Sequence, residues 1–178
     1  MWLLLSSLAV LFASAVLVVL VVRLQSDGWS GSLPPLPATL WVSTGLLLTS
    51  GVCMEWGLRS IRRDRHRRCT IALACTFVLA VAFLVLQTVA WFQWTTSIEE
   101  AQTLLSTHQL ASSTFLVLTG LHAAHIIGGL VPLGLILWYA VLRSYSADEH
   151  VAVRDTTMYW HFLDVVWILL VAFMVIVL

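Results

Sequence analysis

The fold is decided by Gln109–Leu142, QLASSTFLVLTGLHAAHIIGGLVPLGLILWYAVL, 34 residues without one Asp, Glu, Lys or Arg. About 20 apolar residues in a helix cross a bilayer core of about 30 Å. At about 1.5 Å per residue this run reaches about 51 Å, so it must tilt, bend or project beyond the bilayer. Pro132 supplies the cause of a bend, because it cannot donate to the Gly128 carbonyl. The same criterion picks out Met1–Val22, Pro37–Leu58, Cys69–Trp94 and Thr156–Leu178 as further spans. The expected fold is an all-α integral membrane protein, a bundle of five transmembrane helices.

Composition agrees. The chain has 178 residues, 60% hydrophobic and 10% charged, with a mean hydropathy of +0.96. Soluble domains carry about 45–50% apolar and about 25% charged residues, which excludes a water-soluble globule. The length fits a single membrane domain over residues 1–178. Nine arginines, with no lysine, balance nine acids, so no basic surplus invites nucleic acid. Cys53, Cys69 and Cys75 lie in or beside apolar runs without a CxxC pair and read as structural thiols. Ala13-Ser14-Ala15 imitates a signal cleavage site, but no positive segment precedes it, so the first run is expected to be a retained span.

The arginines set the orientation. Arg59, Arg62, Arg63, Arg65, Arg67, Arg68, Arg143 and Arg154 fall on the side of the N-terminus, and only Arg23 falls on the other. The positive-inside rule then makes the N-terminus and the Arg-rich turn 59–68 cytoplasmic. The Gly/Pro-rich stretch 28–37 becomes an outer linker, and the C-terminus lies outside. The turn reads as a topology anchor before it reads as a contact for anionic lipid.

Polar groups inside spans are where function concentrates, since each charge there is costly. Glu55 precedes Arg59 by four residues, a favourable helical pair that can snorkel to the cytoplasmic surface as part of the anchor. His122 and His125 share one helix face, and His161 and Asp164 repeat the spacing. Gly120, Ala124 and Gly128 form a small-residue stripe, expected to make a tight contact with a neighbouring helix. Asp164 must be protonated or partnered, and His161 stands one turn away. Shared haem ligation is disfavoured by depth: counted from the cytoplasmic ends, His161 lies about 8 Å in and His125 about 25 Å in. A metal would need three or four ligands in register. A proton path suits the residue types, but a small proton-coupled carrier would be expected to show repeats and broken helices in matching halves. Buried polar pairs that fix helix packing are the best reading, with no catalytic, metal or cofactor residue in the chain.

The sequence also resembles a known family. STFLVLTGLHAAHIIGG at Ser113–Gly129 and YWHFLDVVWILL at Tyr159–Leu170 are similar to the paired motifs of subunit III of haem-copper cytochrome c oxidases. SGVCMEW at Ser50–Trp56, the Arg/Asp turn at Arg62–Arg68 and the Leu86-Gln87 pair fit as well. Five spans match the short bacterial form. The resemblance implies a noncatalytic subunit of the bacterial cytoplasmic membrane that packs on subunit I, beside subunit II, within a respiratory supercomplex. It implies bound phospholipid, support of assembly and sustained proton uptake, and haem and copper held by partner subunits. It assigns His122, His125, His161 and Asp164 to packing or lipid-facing surfaces. Two positions depart from the pattern: Leu8 stands where the family has a buried glutamate, and Ala90, followed by Gln93, stands where it often has another. Both changes remove an ionisable group from the membrane. An alternative within the resemblance is the subunit-III-like protein that accompanies nitric oxide reductases.

Overall fold

The computed structural model describes residues 1–25, 36–100, 106–142 and 151–177. Most of the outer linker, and Arg143, lie outside the described residues. Those residues form five helices and no strand: α1 (Trp2–Gln25), α2 (Ala38–Ile61), α3 (His66–Glu100), α4 (Ser106–Val141) and α5 (Val151–Val177). Four of them are long and apolar enough to cross a membrane, over Trp2–Gln25, His66–Ser97, Ser113–Val141 and Val151–Ile176. The remaining helix, α2, is as long as α1 at 24 residues. It carries Glu55, Arg59 and a series of Ser and Thr residues, which lower its apolarity.

Helices α2, α3, α4 and α5 close a ring, α2 on α3, α3 on α4, α4 on α5 and α5 back on α2, while α1 packs outside it against α4 and α5. The burial pattern explains the difference. Leu5, Phe12 and Val19 are the only buried residues of α1, one per two turns, a seam too narrow to hold a helix inside a bundle. By contrast α2 buries Leu40, Leu47, Met54 and Ile61 together with Ser43, Ser50, Gly51 and Gly57, and the small residues let its neighbours approach closely. Large aromatics fill the centre, with Phe83, Phe115, Trp160 and Trp167 all fully buried. The outer faces are apolar too: Leu3, Val10, Val52 and Ile176 are each at least 70% exposed, as expected where the solvent is lipid rather than water.

The α2–α3 connection is shorter than the expected turn over 59–68. Arg59 lies in the last turn of α2, Arg67 and Arg68 lie in the first turn of α3, and only residues 62–65 are non-helical. Asp64 takes φ 51°, a left-handed conformation that Asp tolerates better than most residues. The turn is closed by Arg63 N–H to Ser60 O at 3.1 Å, Asp64 N–H to Ile61 O at 3.0 Å and Arg65 N–H to Ser60 O at 3.0 Å. In α4, Pro132 sits on the exposed side of a helix that continues through it. Its 36 residues exceed the bilayer thickness, leaving the tilt or projection inferred from length in force.

Candidate functional site

The polar groups gather on the face that α2 and α5 share. Beginning at the Arg-rich end, Arg59 Nε donates to Glu55 Oε1 at 2.7 Å. The other Glu55 oxygen lies 3.6 Å from His161 Nε2, and His161 Nδ1 lies 3.6 Å from Asp164 Oδ2. Four ionisable side chains from two helices thus run in series from the basic turn into the bundle. Asp164 ends the series against the α2 backbone: a Cβ on Gly51 would fall on its carboxylate. The remaining oxygen, Asp164 Oδ1, is buried without a hydrogen-bond partner within the chain.

Tryptophans share this face, Trp160 beside His161 and Trp167 one turn beyond Asp164. Trp160 Nε1 donates to Ser50 Oγ at 2.9 Å and Trp167 Nε1 to Thr44 Oγ1 at 3.0 Å. Each hydroxyl in turn donates to its own helix, Ser50 to Leu47 O at 2.6 Å and Thr44 to Leu40 O at 2.8 Å. A third tie joins α3 to α4, from Trp91 Nε1 to Thr119 Oγ1 at 2.8 Å.

The two motif histidines part company. His122 is fully buried, its ring 4.8 Å from that of Trp167 at 32° and 6.1 Å from those of Phe12 and Phe83. Neither of its nitrogens has a hydrogen-bond partner within the chain. His125 is half-buried, and its Nδ1 lies 2.7 Å from Leu121 O, which makes that nitrogen the donor. Its own carbonyl accepts from Tyr159 Oη at 2.9 Å. The depth count needs correction here. Gly129 packs on Trp160 and His122 on Trp167, a register that sets His125 and His161 closer in depth than counting from the ends of the apolar runs gives.

The small-residue stripe is also corrected. Ala124 and Gly128 are exposed, a Cβ on Gly128 would meet nothing within 4 Å, and one on Gly120 only Trp91 at 3.9 Å. The close approach to α5 is made one residue later: a Cβ on Gly129 would stand 2.8 Å from Tyr159 and 3.2 Å from Trp160. Glu55, placed on the surface with Arg59, proves to face His161 as well. Arg62, Arg63 and Arg65 are exposed on the turn, and Arg67 and Arg68 are exposed on α3.

Sequence reasoning passed over Ser50, Thr44, Gly51 and Gly129. The available signal was weak: Trp160 and Trp167 stand seven residues apart on one face of α5, and α2 carries hydroxyls at a similar interval. Ala90, where the resemblance leads one to expect an acid, is fully buried, and Gln93 accepts from Thr39 Oγ1 at 2.7 Å. Leu8 is half-buried on α1.

The fold and site define a multi-pass membrane protein in which some intramembrane polar groups pair across helices. Others, His122 and Gln87 among them, are buried without a hydrogen-bond partner within the chain. A family model described as cytochrome c oxidase subunit III matches residues 28–177, and the chain belongs to that family. Cytochrome c oxidase subunit 3 of Myxine glutinosa is 32% identical over 129 residues, covering 72% of this chain and 46% of that protein. The subunit 3 of Danio rerio gives the same identity and coverage. That of Prototheca wickerhamii is 31% identical over 130 residues, 73% of this chain and 47% of its own. The chain therefore spans less than half the length of these relatives, and α1 lies outside the family match.

Proposed function

We propose that this chain is the noncatalytic subunit III of a haem-copper terminal oxidase in a bacterial cytoplasmic membrane, crossing it five times with the N-terminus inside. In this reading it packs on subunit I beside subunit II, and partner subunits hold the haem and copper that carry electrons to oxygen. This chain supports assembly, retains phospholipid and helps sustain proton uptake, and its complex takes part in a respiratory supercomplex.

One observation carries the reading: the two long motifs are built into each other. His122 of the first stacks on Trp167 of the second, and Tyr159 and Trp160 pack on Gly129. Their residues are spent on a helix–helix interface, as suits a subunit that shapes a surface for a larger partner. The series Arg59–Glu55–His161–Asp164 supports the proton-uptake role, because it sets titratable groups at the Arg-rich end. The relatives named above are oxidase subunits, and nothing in the fold favours the nitric oxide reductase accessory protein or a carrier.

The test is purification of the tagged chain from its native membranes in mild detergent, read by mass spectrometry and a reduced-minus-oxidised spectrum. Haem bands that accompany a large multi-span oxidase subunit, and vanish when this chain is isolated, are expected. Recovery of the chain alone and colourless would revive the carrier, and a nitric oxide reductase partner would move it to that enzyme.

A further inference from the structure

Two of the three cysteines stand across the α2–α3 contact from each other, bracketed by two close approaches of the helices. On one side Thr76 Oγ1 donates to Ser50 O at 3.3 Å. On the other, a Cβ on Gly57 would lie 3.3 Å from that of Ala72. Cys53 falls between Ser50 and Gly57, and Cys75 between Ala72 and Thr76, so the antiparallel helices carry both thiols at one level. A disulfide needs Cβ atoms about 3.5–4.5 Å apart, a separation that backbones as close as those at Gly57 and Ala72 supply. The two thiols also interact electrostatically. Cys53 is half-buried and Cys75 is exposed. Ile71 and Val78, a turn to either side of Cys75, are 45% and 64% exposed, so the pair opens toward the bilayer. Cys69 is buried nearer the Arg-rich tip and takes no part.

We propose that Cys53 and Cys75 form a dithiol that a lipid hydroperoxide oxidises to a disulfide, stapling α2 to α3. The exposed Cys75 reacts first, since susceptibility follows exposure. Its sulfur attacks the terminal peroxide oxygen, the O–O bond breaks, and the thiol proton goes to the departing alkoxide as a lipid alcohol. The Cys53 sulfur then attacks the sulfenic acid so formed, which closes the S–S bond and releases water. Two electrons pass from the two sulfurs to the peroxide, and the products are one disulfide, one alcohol and one water. Apolar surroundings keep water-borne oxidants from the pair, so the oxidant must dissolve in lipid. The link bears on α2, the one described helix without a stretch apolar enough to cross a membrane by itself. The inference rests on the packing of α2 against α3 and not on the oxidase partner.

The experiment treats native membranes holding the full chain with linoleic acid hydroperoxide or with tetrathionate, an oxidant confined to water. The chain is then solubilised, blocked with N-ethylmaleimide and cleaved with trypsin, whose sites in the Arg-rich turn lie between the two cysteines. After hydroperoxide, the fragments carrying Cys53 and Cys75 are expected to stay joined without reductant and to separate with dithiothreitol. Cys53→Ala and Cys75→Ala should each lose the link, and Cys69→Ala should keep it. The uncleaved natural chain gives a readout that needs no variant: three maleimide adducts when reduced and one after oxidation, in step with its three cysteines. A link that survives Cys75→Ala, or that requires Cys69, would overturn the pair. Equal linking by tetrathionate would overturn the bilayer-borne oxidant, and three adducts after hydroperoxide would overturn the site.

Discussion

Gly51 and Asp164 meet so closely that neither can be understood alone. Only a residue without a Cβ leaves room for the carboxylate at that point of α2, and the carboxylate is there because His161 lies beside it. Gly51→Ala gains helix propensity, about 1 kcal/mol, yet overpacks the contact, at a cost of about 1–3 kcal/mol. We expect a net loss of thermal stability, and the double variant Gly51→Ala with Asp164→Ala should recover part of it through coupling. Additive losses would mean that the two residues do not share a site. His122 makes the opposite case. Burial of an imidazole without partners costs about 1–3 kcal/mol, and Phe fits among Phe12, Phe83 and Trp167 with similar shape. His122→Phe should melt at or above the temperature of the natural chain and leave any co-purifying haem spectrum unchanged. A shifted spectrum would turn this histidine from a packing residue into a ligand.

Periodicity made the helices legible and left their mutual register hidden. Five runs of apolar sequence gave five helices, because hydrogen-bonded backbone is the only form that apolar surroundings allow. Their ends were less legible: α2 continues through Arg59 to Ile61 and α3 starts at His66, since a charged residue at a helix end is compatible with either helix or turn. The small-residue stripe shows the limit most plainly. Gly128 and Gly129 are neighbours in sequence but point about 100° apart on the helix, and only the fold decides which one meets α5. The Glu55–His161 contact was hidden for a similar reason, as it joins residues far apart in the chain. Of the stripe, Gly120 lies against Trp91 while Ala124 and Gly128 face away from the bundle, so any contact of these two belongs to a partner. Gly128→Leu should therefore leave the melting of the isolated chain within about 0.5 kcal/mol but lower the yield of the assembled complex. Unchanged yield would show that the stripe faces lipid.

The distribution of arginine governs the molecule as a whole. The short hairpin tip between α2 and α3 carries Arg62, Arg63 and Arg65, and the first turn of α3 adds Arg67 and Arg68. Moving such a group across a bilayer is costly at every arginine, so the hairpin stays where it is made and fixes the orientation of the helices on either side. α2 gains most from this, because it is the one of the five described helices without a stretch apolar enough to cross by itself, and its place is held by the charged tip and by α3 and α5. The consequence is measurable with an impermeant maleimide. In a chain with Cys53, Cys69 and Cys75 replaced by Ala, Arg63→Cys should react in inverted membrane vesicles and stay protected in intact spheroplasts. A cysteine replacing Trp2, which the proposed topology also places inside, should behave the same way. Opposite reactivity of the two positions would mean that α2 does not cross the membrane, since an uncrossed α2 leaves α1 as the one span between them.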